Sequence, residues 1–205
     1  MPLNPQDSRT RCDYSISSRK LENGQLALRV TRFLLLLVAS WTVMALTHEL
    51  GHILGGTCSG GTLQSADLRP WRLPYSTFDP DPFPLVTLWS GLIIGILTPV
   101  AVAAIVQRDW MWFIANFCIL ANGTYVATGW YAGDSYLDTT RLLEHGASPV
   151  TIAAYCCVTI SFGYIGFRRS CMAALTVASQ SEPRTQQESE DPDNVPQGSA
   201  GPEAE

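Results

Sequence analysis

Long apolar stretches alternate with short polar ones through the centre of this chain. Four windows carry almost no charge, namely 33–54, 84–107, 110–133 and 147–167. Each is close to or above the ~20 apolar residues that a helix needs to cross ~30 Å of hydrocarbon. The pattern predicts an all-α membrane protein with about four transmembrane helices, and therefore a multi-pass integral membrane protein.

Polar residues dominate both ends of the chain and divide it into three parts. Residues 1–29 form a polar, basic N-terminal segment, residues 30–170 the helical membrane domain, and residues 171–205 a C-terminal segment. From about residue 179 the tail is rich in Ser, Gln, Glu and Pro. Such a composition buries too little apolar surface to fold, so this tail is predicted to be disordered.

Composition narrows the class of protein further. Of 205 residues, 46% are hydrophobic and 15% are charged, whereas soluble domains carry about 25% charged residues. The formal net charge is −5, and a nucleic-acid binder would instead show a basic face. From its composition we expect the chain to have the lipid bilayer as a partner and to bind no nucleic acid.

The distribution of basic residues predicts an orientation, because cytoplasmic loops of membrane proteins carry an excess of Lys and Arg. With four spans, nine basic residues fall on one side and three on the other. The nine are Arg9, Arg11, Arg19, Lys20, Arg29, Arg32, Arg108, Arg168 and Arg169. Both termini are therefore expected to be cytoplasmic.

The first apolar window ends in the sequence His48-Glu49-Leu50-Gly51-His52. Residues i and i+4 share one face of a helix, so both imidazoles can reach one metal ion. Zinc held in this way activates water, and Glu49 is placed to act as the general base. These polar groups are costly in an apolar helix unless they bind or pair with something. The motif predicts a Zn²⁺ site with His48 and His52 as ligands and Glu49 as the catalytic residue.

A catalytic zinc uses three protein ligands, so a third ligand must lie near the two histidines. The loop after the third window returns to their side of the membrane, and Asp134 follows a 24-residue uncharged stretch there. Asp134 is the predicted third ligand, with Asp138, one helical turn later, as the alternative. The acids of the first loop lie in a proline-rich segment that reads as irregular, which argues against them.

Two further polar positions have competing interpretations. Cys58 follows His52 by six residues, a spacing at which another class of zinc protease places a ligand, so its thiolate is a minor candidate. Asn122 lies inside the third window. We expect it to hydrogen-bond between helices, as amides do in membrane bundles, rather than to polarise a substrate carbonyl.

Together these residues resemble the site-2 protease family of membrane-embedded zinc metallopeptidases. The likeness lies in the motif at 48–52 at the end of an apolar helix, followed by Gly55-Gly56 and Ser59-Gly60-Gly61. It implies hydrolysis of peptide bonds in or next to the membrane, with a membrane protein or peptide substrate as the partner. It also implies a short extended segment at about 62–68 and a later aspartate ligand. Gly133-Asp134 reverses the family's Asp-Gly order, and Ser90-Gly91 replaces its Gly-Pro pair, which indicates a divergent branch.

Two functions from other classes compete with the protease. A catalytically silent membrane scaffold of the same fold would have no need of Glu49. A small metal-binding transporter or sensor would require polar residues inside the second and fourth windows, which are nearly free of them.

Overall fold

The computed structural model describes the backbone of residues 5–176 and the side chains of residues 24–175. Over this range the chain forms five α-helices and two β-strands. They are α1 (Pro5–Cys58), β1 (Leu63–Asp67), β2 (Tyr75–Phe78), α2 (Pro84–Val106), α3 (Asp109–Ala132), α4 (Asp138–Glu144) and α5 (Pro149–Thr176). The tail that was predicted to be disordered from about residue 179 lies outside the described residues.

Three helices of the described part are long and apolar enough to cross a membrane: Gly24–Cys58 within α1, then α2, and Pro149–Leu175 within α5. The chain is therefore a membrane protein. Helix α3 matches the predicted third window and is 24 residues long, but Asn116 and Asn122 lower its mean hydropathy. The fourth span, and the orientation of the termini that depends on it, stay predictions.

Helix α1 starts much earlier than the predicted boundary at residue 30. It begins at Pro5, so most of the basic N-terminal segment continues the same helix that carries the histidine motif. The sequence boundary followed the change in hydropathy, whereas a helix can extend beyond the apolar part of its sequence into water.

The first loop contains an antiparallel hairpin. Strand β1 lies within the extended segment expected at 62–68, and it pairs with β2 so that Asp67 faces Tyr75. Strand β2 occupies part of the proline-rich segment that reads as irregular in the sequence. The indole Nε1 of Trp41 donates to the Pro70 carbonyl oxygen at 2.9 Å, which holds the turn of the hairpin against α1.

The short helix α4 lies between two glycine turns, and its buried side packs against the bundle. Gly133 ends α3 at a φ of +64°, and Gly146 follows α4 at +87°, left-handed conformations that glycine adopts without strain. Leu142 of α4 is fully buried in one cluster with Leu88, Val126 and residues of α5. Because residues four apart share a helix face, this packing also turns Asp138 toward the bundle interior.

Helices α1 and α2 approach closely through small residues, as membrane helices commonly do. A Cβ added to Gly51 would lie 2.6 Å from the Ser90 carbonyl oxygen, and one on Gly91 would lie 2.4 Å from His52 Nε2. Real Cβ atoms do not approach this closely, so glycine at these positions is what allows α2 to pack against the histidine face of α1.

We expect Gly91→Ala to weaken metal binding at His52 at least about tenfold, the lower end of the effect of disturbing a ligand's surroundings. The added methyl group would push the imidazole ring away from its position. Zinc affinity, measured by competition with a chromogenic chelator, checks this. The control is Gly24→Ala, because a Cβ at Gly24 meets nothing within 4 Å. Equal zinc affinity in both variants would contradict the close contact.

Candidate metal centre

Two histidines of α1 face each other at the inner side of the bundle. His48 and His52 are 8% and 5% exposed, and their Nε2 atoms lie 3.0 Å apart. The i, i+4 spacing of the motif explains this proximity, because it places both rings on one helix face.

Asp138 of α4 completes the group. Its Oδ2 lies 2.8 Å from His48 Nε2 and 3.1 Å from His52 Nε2, and the residue is 6% exposed. Among the described residues, these three side chains form a group able to hold a metal ion. The group therefore joins α1 to α4, although His52 and Asp138 are 86 residues apart in the sequence.

The second nitrogen of each ring faces a hydrogen-bond acceptor. His52 Nδ1 lies 2.9 Å from the Thr87 carbonyl oxygen, which can only accept. His48 Nδ1 lies 2.8 Å from Asn122 Oδ1, and the Asn122 amide donates through Nδ2 to the Cys118 carbonyl oxygen, which fixes its orientation. Each Nδ1 therefore carries a hydrogen, and each Nε2 of a neutral ring presents a lone pair.

These tautomers determine what the centre can bind. Two nitrogen lone pairs and one carboxylate oxygen point toward each other at about 3 Å, and they repel one another unless a positive charge lies between them. Metal-binding histidines usually donate their other N–H to a carbonyl or carboxylate in this way. A divalent metal ion satisfies all three atoms at once, so the donor set fits a metal.

In the absence of a metal ion, a proton can take the place of the cation. Burial acts to raise the pKa of the Asp138 carboxyl group, but the charge of a protonated His52 and the hydrogen bonds that protonated histidine rings donate lower the pKa well below its usual range. Asp138 therefore stays ionised and is available to a cation.

Glu49 lies next to this group and has a free oxygen. The residue is 4% exposed, and its Oε1 is the one buried side-chain oxygen or nitrogen in the described part of the chain without a hydrogen-bond partner. A buried carboxylate oxygen without a partner costs roughly 1–3 kcal/mol or more. Such an oxygen is able to take up and hold a proton, which suits a general base.

A cavity of about 850 Å³ opens on the metal group and on Glu49. Such a volume lies within the usual range of ligand sites, roughly 300–1,000 Å³. The hairpin and helices α1 to α4 contribute to its wall. Its aromatic lining consists of Trp41, Trp71, Tyr75, Tyr125 and Tyr136. The cavity can therefore admit an extended, largely apolar chain to the three ligands.

The structure brings together three of the four predicted site residues, His48, Glu49 and His52, and places Asp134 elsewhere. Asp134 is exposed, and its Oδ1 accepts from the backbone N–H of Tyr136 at 3.0 Å, so it stabilises the turn after α3. Asp138, the alternative, takes the third position because α4 packs back into the bundle. Cys58, also exposed, lies outside the group.

Sequence reasoning missed the part that the neighbouring helices play. Asn122 forms a hydrogen bond between helices, as expected, but its partner is His48. The Thr87 carbonyl oxygen of α2 accepts a hydrogen bond from His52 in the same way. A signal for Asp138 was present: Asp138 and Leu142 are four residues apart, and Gly146 follows at a typical helix stop. This spacing is that of a short amphipathic helix rather than of a loop.

We expect Asn122→Leu to lower zinc affinity about 10–100-fold, the usual cost of removing an orienting partner. Without the amide oxygen, His48 loses the bond that fixes its tautomer, whereas Asn122→Asp keeps an acceptor and most of the affinity. Asn116→Leu is the control, because Asn116 lies on the same helix but bonds to Ser170. Isothermal titration with zinc distinguishes the three variants, and an Asn122→Leu protein that binds zinc like the Asn116→Leu protein would exclude the orienting role.

Comparison of the chain with protein-family models, with curated proteins and with solved structures found no match. Function therefore has to be inferred from the group formed by His48, His52 and Asp138, from Glu49, and from the cavity onto which they open.

Proposed function

We propose that this protein is a membrane-embedded zinc metalloprotease that hydrolyses peptide bonds in or next to the membrane, as a divergent relative of the site-2 protease family. The observation that carries the proposal is the free Oε1 of Glu49 beside two histidines and an aspartate whose ligand atoms converge. A site that only bound a metal would have no use for a buried carboxylate at this position.

Zinc is the metal that this donor set fits best. Two imidazole nitrogens and one carboxylate oxygen are typical zinc ligands, and a catalytic site leaves the fourth position open. Tetrahedral ligands at 2.0–2.1 Å from zinc lie ~3.3 Å from one another, and the three ligand atoms are 2.8–3.1 Å apart. A small outward movement of each ligand therefore accommodates the ion.

The residues around the metal have separate roles in the proposed reaction. His48, His52 and Asp138 would hold a zinc ion, which when bound would supply Lewis-acid activation of water. Glu49 accepts on Oε1 the proton that the attacking water loses and delivers it to the leaving amine nitrogen as the peptide C–N bond breaks. Asn122 and the Thr87 carbonyl keep the histidines in the tautomer that binds metal, and Asp138 supplies the negative charge that balances the cation.

The surroundings of the site favour a substrate that comes from the membrane. The histidines belong to the span Gly24–Cys58, and the cavity wall includes the hairpin turn held by Trp41. An extended segment of a membrane protein or peptide can enter along this mainly apolar wall. The site-2 protease resemblance of the motif points to the same substrate class.

Cleavage of single-span substrates tests the proposal. The full-length protein in proteoliposomes should cleave at least one member of a substrate panel, lose this activity after chelation, and regain it when one equivalent of zinc is restored. If the zinc-loaded protein cleaves no member of a broad panel, the protease proposal fails. A silent scaffold, or a metal transporter or sensor, would then account better for the retained metal group.

A further inference from the structure

A second cavity, of about 910 Å³, lies at the opposite end of the bundle, between α1, α3 and α5. Arg32 at its rim precedes His48 by 16 residues on α1, which is ~24 Å along a helix. The cavity is therefore separate from the metal centre. The spacing also places it near one membrane surface when the metal centre lies toward the other.

The rim of this cavity is positively charged. Arg29 and Arg32 lie one turn apart on α1, and Arg169 contributes from α5. Asp109, in the first turn of α3, is the one acidic residue among the described lining residues, so Arg32 and Arg169 alone already outnumber the negative charge of the described lining. Arg29 also bonds to the Gln25 side chain at 3.5 Å, which helps to hold its guanidinium at the rim.

The same cavity also has an apolar and aromatic lining. Phe33 of α1 packs edge-to-face on Phe113 of α3, with ring centroids 5.7 Å apart, and Phe113 is buried. The lining residues without charge or polar groups are Leu28, Phe33, Leu36, Phe113, Ala173 and Ala174. A cavity lined by arginines and by apolar side chains matches a molecule with an anionic head and a hydrocarbon tail.

Two exposed tryptophans also belong to the lining of the cavity. Trp110 and Trp112 at the start of α3 line the cavity and are 51% and 39% exposed. Tryptophan favours the headgroup level of a bilayer, where one face of the ring is apolar and the N–H is hydrated. The cavity is therefore positioned where lipid headgroups are found.

We propose that this cavity binds an anionic phospholipid, with its phosphate on Arg32 and Arg169 and an acyl chain along Phe33 and Phe113. Guanidinium groups bind phosphate through paired charge-assisted hydrogen bonds. Basic pockets between membrane helices are known places for such headgroups. The lipid would connect α1 and α5, the first and last helices of the bundle. This binding does not depend on any activity at the metal centre.

Lipid selectivity of the purified full-length protein tests the proposal. The probes are phosphatidylglycerol and phosphatidylcholine of equal chain length, and binding is measured by native mass spectrometry from detergent. We expect a clear preference for phosphatidylglycerol. Arg32→Gln/Arg169→Gln should reduce this preference about 25-fold, at about fivefold for each arginine. Arg72→Gln/Arg141→Gln, which removes the same charge from the metal-side cavity, should leave the preference unchanged.

Other outcomes would overturn the lipid assignment. Equal binding of the two lipids, or an equal loss in the two double variants, would show that the arginine cavity does not select a phosphate. Arg32→Lys/Arg169→Lys should keep most of the preference, which separates loss of charge from loss of fold. If wild type shows no preference but Glu188→Gln/Glu190→Gln/Asp191→Asn acquires one, the acidic C-terminal segment and not a lipid occupies the cavity.

Discussion

Asp138→Asn should lower the zinc affinity at least about 100-fold. This exceeds the roughly 10–100-fold loss that is typical when a residue that only orients a ligand is removed. Asp138 supplies a carboxylate oxygen within 3.1 Å of both histidine Nε2 atoms. The amide that replaces it keeps the shape of the side chain but removes the negative charge. Zinc content per chain, measured by elemental analysis after dialysis, should fall from one to near zero.

Asp134→Asn is the matched control for this substitution. The same change four residues earlier alters an exposed turn in which the side-chain oxygen accepts from the Tyr136 N–H, and zinc content should stay at one per chain. Loss of zinc in the Asp134 variant, with zinc retained in the Asp138 variant, would return the third ligand to the residue that the sequence favoured. Near-ultraviolet circular dichroism of both variants checks that the bundle is folded.

Glu49→Gln should keep zinc bound and lower kcat about 10²- to 10⁴-fold, the range usual for loss of a general acid or base. Glutamine has nearly the same size, so the buried position stays filled. Its amide cannot take up the proton that the proposed reaction transfers. The measurement is cleavage of a single-span substrate by proteoliposomes whose zinc content has been determined on the same sample.

Glu144→Gln provides the control for Glu49. Glu144 is exposed at the end of α4 and should be neutral in the same assay. Wild-type activity in Glu49→Gln would exclude the proposed base, and the reaction would then need another proton acceptor. Loss of zinc together with activity would instead assign Glu49 a role in building the metal centre.

The sequence was sufficient for the part of the site that is local. The motif His48, Glu49 and His52 spans five residues, little more than one helical turn. The helix period alone therefore determines that both imidazoles share a face. The apolar windows located helices α1, α2, α3 and α5 for the same reason, since hydropathy and helix length are properties of a continuous segment.

The third ligand could not be obtained in this way, because it depends on contacts distant in sequence. Asp134 was favoured because it lies near the end of a span. However, α3 ends just before Gly133, and the Asp134 side chain is exposed. Asp138 is brought in by the burial of Leu142 against α2, α3 and α5 and by the bond from Thr139 Oγ1 to the Val126 carbonyl oxygen at 2.7 Å. The spacing of Asp138 and Leu142 indicates a short helix, but seven residues carry too little periodicity to predict against which helices it packs.

The metal centre takes its parts from four separate helices: ligands from α1 and α4, and the acceptors behind them from α2 and α3. A half-assembled chain, with α1 already in the bilayer but α4 not yet packed, has the complete histidine motif without its third ligand or its fixed tautomers. Because the full ligand set exists only in the packed bundle, metal binding is coupled to helix packing. The proposed hydrolysis would therefore start only after membrane insertion and helix packing are complete, which would protect neighbouring membrane proteins from cleavage by a half-assembled chain.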